Sequence, residues 1–150
     1  MKRGLIFSLL LVFVAFGCTQ KQPHEMSTMN TTDTTNIHKV KDGIFIHISH
    51  SYDDPHRVVM ALKMATMMSM DKDVLVYFDI KGIDVVLKDA KDITYPSFPS
   101  AQESLKTLID KGITRFACPG CMKAAGKTAD DLMPGVKVAE KEAFFNFTKG

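Results

Sequence analysis

Apolar residues enter this chain in two rhythms, short continuous runs and helix-spaced stripes, and the two alternate through most of its length. Ile44-Phe45-Ile46-His47-Ile48 is a run of strand length. A polar turn follows, and Asp54 before Pro55 reads as a helix N-cap with proline at the first helical position. Behind it come Val59, Met60, Leu62, Met64, Met67 and Met68, and the spacing of Met60, Met64, Met67 and Met68 places them on one helical face. Thioether side chains fill irregular gaps, so these methionines are expected in the core. Val74-Leu75-Val76-Tyr77-Phe78 is continuous rather than alternating, the pattern of a parallel strand covered on both faces, and it ends at Asp79. Ile83 to Leu87 is too short to assign, and the stretch holding Pro96 and Pro99 predicts a long surface loop. Ser100 with Glu103 forms a capping box for a helix carrying Leu105, Leu108 and Ile109 and closed by Gly112. Ile113 to Ala117 is a third strand, diluted by Thr114 and Arg115, and it runs directly into Cys118-Pro119-Gly120-Cys121. Met122 to Ala125 continues as a short helix ended by Gly126, Thr128 with Asp131 caps another turn, and Pro134-Gly135 turns the chain into a last short strand, Val136 to Val138. Residues 140–148 close the chain as a helix. Strands alternating with helices predict an α/β sandwich around a mostly parallel sheet.

The N-terminus follows different rules. Lys2 and Arg3 precede an apolar run from Leu5 to Phe16, broken only by Ser8. A membrane span needs about 20 apolar residues, so this shorter run reads as an export signal over residues 1–17, with an uncleaved anchor helix as the alternative. Ala15-Phe16-Gly17-Cys18 resembles the lipobox of bacterial lipoproteins, which makes Cys18 the expected lipidation site and new N-terminus. Several acyl chains on one cysteine suffice for stable anchoring. Residues 19–38 hold six Thr, two Asn and one aliphatic residue, Ile37, too little apolar surface to offset ordering entropy. We therefore expect a lipidated cysteine and flexible tether over 18–38 and a folded domain over 39–150, held at a membrane and facing the periplasm or cell exterior. His24, Met26 and Met29 are read as ordinary tether residues.

Composition narrows the function. With 19 Lys and Arg against 17 Asp and Glu, and two of the basic residues in the leader, the folded part is close to neutral. That argues against nucleic acid, whose phosphates call for a basic face. At 45% hydrophobic and 24% charged the chain is globular, and 3 cysteines in 150 residues do not make a disulfide-stapled mini-protein. The reactive candidate is the Cys-x-x-Cys pair, Cys118 and Cys121. With Cys118 at an N-cap, its sulfur faces unpaired backbone N–H groups, which favours the thiolate. In a parallel sheet this junction also lies at the carboxyl edge, where ligand sites form. His50, Asp53 and Asp54 after the first strand, and Asp79 and Lys81 after the second, fall on the same edge, with His50 or Lys81 placed to stabilise a thiolate. Asp54 is explained as a cap, and His47, inside a strand, as a core histidine.

The pair admits a structural disulfide, structural zinc, thiol-disulfide exchange or sulfur transfer. Zinc lacks a second Cys-x-x-Cys, and His47, His50 and His56 lack the usual ligand spacing. A thioredoxin-like site belongs after a first strand, whereas this pair follows a third. No phosphate loop, nucleophile elbow or paired-carboxylate site is present.

The segment Phe116-Ala117-Cys118-Pro119-Gly120-Cys121-Met122-Lys123-Ala124-Ala125-Gly126 resembles the cysteine motif of the DsrE/DsrF-like sulfur-relay proteins, including their YchN-like branch. The resemblance extends over roughly residues 43–139 and takes in Tyr77-Phe78-Asp79 and Leu132-Met133-Pro134-Gly135-Val136. It implies a flavodoxin-like three-layer α/β/α domain, assembly as a trimer or hexamer, and a sulfur-carrying cysteine on an exposed loop. By position Cys118 is the implied persulfide carrier and Cys121 the resolving partner. The implied partners are sulfur donor and acceptor proteins or small sulfur compounds, with no cofactor and no metal. Two other readings stay open: a soft-metal (copper) binder using both cysteines, and a non-catalytic oligomeric scaffold.

Overall fold

Parallel neighbours cannot be joined by a tight turn, and the chain meets that constraint with a crossover between each pair of strands. The computed structural model describes residues 42–147, so the leader, Cys18 and the tether lie outside the described residues. Strands β1 (Gly43–Ile48), β2 (Asp73–Phe78), β3 (Thr114–Ala117) and β4 (Lys137–Val138) lie side by side in that order, every pair parallel. Helix α1 (Pro55–Met68) joins β1 to β2, and a 3₁₀ segment (Ile80–Val86) and α2 (Ala101–Asp110) join β2 to β3. Helix α3 (Pro119–Ala124) and a 3₁₀ turn (Ala129–Asp131) join β3 to β4, and α4 (Lys141–Asn146) follows.

Side chains alternate across a strand, so each strand serves two faces. Ile48, Val74, Val76, Phe78 and Ala117 share one core with Val58, Val59, Leu62 and Ala65 of α1 and Leu105 and Leu108 of α2. The opposite face presents Phe45, Leu75, Tyr77 and Phe116. There Phe144 of α4 packs with its ring 5.4 Å from that of Phe45 and 4.7 Å from that of Tyr77. Helices, sheet and a thin helical cover make three layers, the α/β fold expected from the sequence. Val74, Leu75, Val76 and Phe78 are all buried, as the continuous run predicts. Burying a side chain of this size stabilises by about 1.5–3 kcal/mol, so β2 is the spine of the domain.

The caps form where the sequence places them. Asp54 Oδ1 accepts from Arg57 N–H at 3.2 Å, Ser100 Oγ accepts from Glu103 N–H at 3.3 Å, and Asp131 Oδ2 accepts from Thr128 N–H at 2.7 Å.

Two expectations are corrected. Met60, Met64 and Met67 are exposed, and only Met68 of the predicted stripe packs against the core. Two stripes of helical spacing run along α1 on roughly opposite sides, and the one holding Val58, Leu62 and Ala65 faces the sheet. His47 is no core histidine either: β1 is an edge strand, and the imidazole, 47% exposed, pairs with Asp79.

Arg115 explains the polar interruption of β3. Its side chain is buried, with Nη1 donating to Leu108 O at 2.6 Å and Nε and Nη2 donating to Gly135 O at 3.1 and 2.8 Å. One guanidinium thus ties the end of α2 to the turn before β4. Arg115→Met keeps the apolar stem but removes both side-chain donors from Gly135 O and leaves Leu108 O with the Ile113 N–H alone. We expect a loss of about 2–3 kcal/mol in urea unfolding; a loss under about 0.5 kcal/mol would mean that water replaces the guanidinium without cost.

A thiol pair at the carboxyl edge of the sheet

Cys118 is the first residue beyond β3, and its N–H still donates to Phe78 O at 2.9 Å. The backbone therefore leaves the sheet in register and turns at once, because Pro119 is pre-set for a helical start. Cys118 is the N-cap of α3, with its Sγ accepting from Cys121 N–H at 3.4 Å. Its carbonyl receives Met122 N–H at 2.9 Å, which closes the first turn. Both cysteines are free thiols, partly exposed.

The second sulfur is held from another element. Ile80 N–H donates to Cys121 Sγ at 3.1 Å, and Ile80 takes a positive φ of 49° to do so. A β-branched residue in the left-handed region is strained by roughly 1–3 kcal/mol. Flanking bonds hold it there, Asp79 N–H donating to Ile48 O at 3.1 Å and Gly82 N–H to Asp79 O at 2.6 Å.

These contacts divide the roles of the sulfurs. Burial works against the Cys118 thiolate, but hydrogen bonds from the Tyr77 hydroxyl, the Cys121 thiol and the N–H groups of Cys121 and Gly120 outweigh it and bring its pKa below that of an ordinary thiol. The Cys121 pKa is raised by burial, by its bond to Cys118 and by the charges of Cys118 and Asp79, against the Ile80 N–H. Burial, then the bond it gives to Cys118, pushes the Tyr77 phenol well above its usual range. The arrangement favours the thiolate at Cys118 over Cys121 and keeps the proton on Tyr77.

Asp79 directly follows β2, and its charge is felt at Cys121. Its Oδ2 lies 2.6 Å from His47 Nε2, and its Oδ1 is buried without a hydrogen-bond partner. The His47 ring centroid is 5.9 Å from that of Tyr77. His50, Asp53 and Lys81 also meet, as the shared sheet edge predicts, but around one another. Asp53 Oδ2 is 3.1 Å from both His50 Nδ1 and Lys81 Nζ, and Oδ1 accepts from Ser51 N–H at 2.9 Å. The Ser51 N–H first, then His50 and Lys81, hold the Asp53 carboxyl far below the usual carboxylate range. His50 and Lys81 are thus engaged by Asp53 rather than turned to the sulfurs. Asp54 caps α1 and pairs with Arg57 at 2.9 Å.

Tyr77, His47 and the Ile80 N–H are site groups that the sequence pattern did not single out. Beside Tyr77 and Pro119 an open groove of ≈ 270 Å³ is walled by Phe144 and Phe145. A larger hollow of ≈ 520 Å³ lies by Tyr52, Asp84 and Asp89 and contains neither cysteine. Among the described residues, no three His, Cys, Asp or Glu are grouped to hold a metal ion, and no helix is long and apolar enough to cross a membrane.

The profile of the DsrE/DsrF-like family matches residues 42–149. Two solved structures share the fold. One is a protein of unknown function from Methanobacterium thermoautotrophicum, 18% identical, TM-score 0.54, over 71% of this chain and 88% of that one. The other is the ychN protein from E. coli, 15% identical, TM-score 0.52, over 72% of this chain and 91% of that one. No protein with a curated description matches the chain.

Proposed function

Because the chain belongs to the DsrE/DsrF-like family, we propose that it handles sulfane sulfur at a membrane surface, with Cys118 as carrier and Cys121 as resolving thiol. The observation that carries this reading is the N-cap position of Cys118, where the Cys121 N–H meets its sulfur. A thiolate attacks the outer sulfur of a persulfide or polysulfide donor; the donor's S–S bond breaks, its thiolate leaves, and Cys118 holds S–SH. An acceptor thiolate then takes the outer sulfur and restores Cys118. With no acceptor, Cys121 attacks Cys118 Sγ, the pair closes to a disulfide, and the outer sulfur leaves as sulfide. The same two thiols perform exchange when the donor is a disulfide. The groove beside Tyr77 and Pro119 suits an apolar flank of donor or acceptor.

The test is to expose the reduced full-length protein to polysulfide and map the Cys118–Cys121 peptide by mass spectrometry. One added sulfur on Cys118 is expected. A disulfide formed with no loaded intermediate on any timescale turns the reading to a redox protein, and two inert thiols end it.

The membrane part of the proposal rests on the lipobox-like Ala15-Phe16-Gly17-Cys18. Mass spectrometry of the detergent-partitioned wild type should find an acylated Cys18 as the first residue, whereas a protein that keeps residues 1–17 and carries no acyl chain points instead to an uncleaved anchor helix.

A further inference from the structure

A resolving cysteine must lose a proton before it attacks, and Cys121 is the thiol of the pair that holds its proton. In the resting site that proton is directed at Cys118 Sγ. Once Cys118 carries a second sulfur, its Sγ is a neutral persulfide sulfur and a poor acceptor, so the Cys121 proton needs another. Asp79 supplies the unused oxygen: its side chain is only 17% exposed, and Oδ1 is buried with no partner. Leaving a buried acceptor empty is costly, the more so when it is charged, and such an atom in a native site calls for an explanation. Asp79 also directly precedes Ile80, whose N–H touches Cys121 Sγ at 3.1 Å. On its other side the carboxylate is fixed by His47 Nε2 at 2.6 Å, which requires the ring proton on that nitrogen if the carboxylate is ionised.

We propose that Asp79, held by His47, is the proton acceptor for Cys121 in the step that discharges the persulfide. This rests on the sulfur-carrier reading above and adds the group that completes it. The Cys121 proton passes to Asp79 Oδ1; the thiolate attacks Cys118 Sγ; the bond from Sγ to the outer sulfur breaks. The outer sulfur leaves as HS⁻ and takes the proton from Asp79, so H₂S departs, the two cysteines are oxidised to a disulfide and the sulfane sulfur is reduced. Nothing outside the site is consumed. Asp79 receives the proton, and His47 is a positioning residue that acts through it.

The test uses the full-length chain, loaded with polysulfide in a single turnover, with persulfide on the Cys118 peptide and released sulfide followed separately. Asp79→Asn should load Cys118 as wild type does and release sulfide about 100-fold more slowly or worse, the usual size of a general-base contribution. His47→Leu should behave likewise, whereas His47→Gln, whose amide can still donate to Oδ2, should keep most of the rate. Release by Asp79→Asn that is unchanged or faster overturns the proposal, because a carboxylate acting only through its charge holds the proton on Cys121 and its removal speeds the step. Loading and release falling together, or no rescue by glutamine, reduces the pair to a structural contact. A wild-type protein that never carries sulfur on Cys118 fails at the loading step instead, and so rejects the carrier reading itself.

Discussion

Cys118→Ser loses sulfur loading completely, and Cys121→Ser accumulates the loaded form. The two outcomes differ because the site treats the two sulfurs differently. The Cys118 charge is met by donors from three directions, the Tyr77 hydroxyl, the Cys121 thiol and the first N–H groups of α3. A serine hydroxyl in the same place stays protonated at any pH at which the fold survives, and no nucleophile forms. Cys121 is turned to Ile80 N–H and keeps its proton. Serine there removes the attacking atom of the second step while its hydroxyl still reaches towards Cys118, so the persulfide has no internal route of discharge. The order of alkylation in the wild type checks the same asymmetry without mutation. As pH falls, the thiol of lower pKa keeps its thiolate longer, so Cys121 should fall silent towards iodoacetamide first and Cys118 last. Equal loading by the two serine variants, or alkylation in the reverse order, would sink the assignment of roles.

Much of this site was legible in the sequence because it depends on local rules. A cysteine followed by proline at the end of a strand defines an N-cap, and α3 forms on it. The register of parallel strands brings the ends of β1, β2 and β3 to one edge, which gathers His50, Asp53, Asp79, Lys81 and both cysteines there. What the pattern does not carry is which neighbour each side chain chooses across that edge. Asp53 draws in His50 and Lys81, while Asp79 pairs with His47 from the adjacent strand. Tyr77 reads from the sequence as one residue of an apolar run, because its ring serves the aromatic face with Phe144 while its hydroxyl serves Cys118. The exposed Met60, Met64 and Met67 illustrate the same limit on a helix. Periodicity identifies a stripe but not the rotation of α1 about its axis, which is set by what packs beneath it. The positive φ of Ile80 is not written in its own residue type, since glycine or asparagine would ordinarily stand there. It is imposed by the bonds from Ile48, Asp79 and Gly82 that surround it.

Those bonds make Gly82→Ala the most damaging single methyl that can be added to this edge. A Cβ at residue 82 would stand 1.9 Å from Ile48 O and 2.8 Å from its carbonyl carbon, inside the contact distance of any real atom pair. The obstacle is backbone, so no rotamer change relieves it. Ile48 O is also the acceptor for Asp79 N–H, so displacing it breaks the bond that fixes the start of the strained turn. Residues Gly82, Ile83, Val85 and Val86 of the 3₁₀ segment are all buried, so a displacement of Gly82 is passed to packed neighbours. We expect a loss of about 3 kcal/mol or more, which for a domain of this size lowers Tm by at least about 10 °C. Gly126→Ala is the matched control. Its φ of +66° disfavours alanine, but nothing lies within 4 Å of the added Cβ, so the expected loss is only about 1–2 kcal/mol. The two substitutions separate a cost of backbone conformation from a cost of contact. Below its melting temperature Gly82→Ala should also discharge the Cys118 persulfide slowly, since Asp79 and Ile80 lie within the turn it displaces. A Gly82→Ala protein that melts with the wild type would mean that β1 and the 3₁₀ segment can part without loss, and the strained Ile80 would then have nothing to hold it against Cys121.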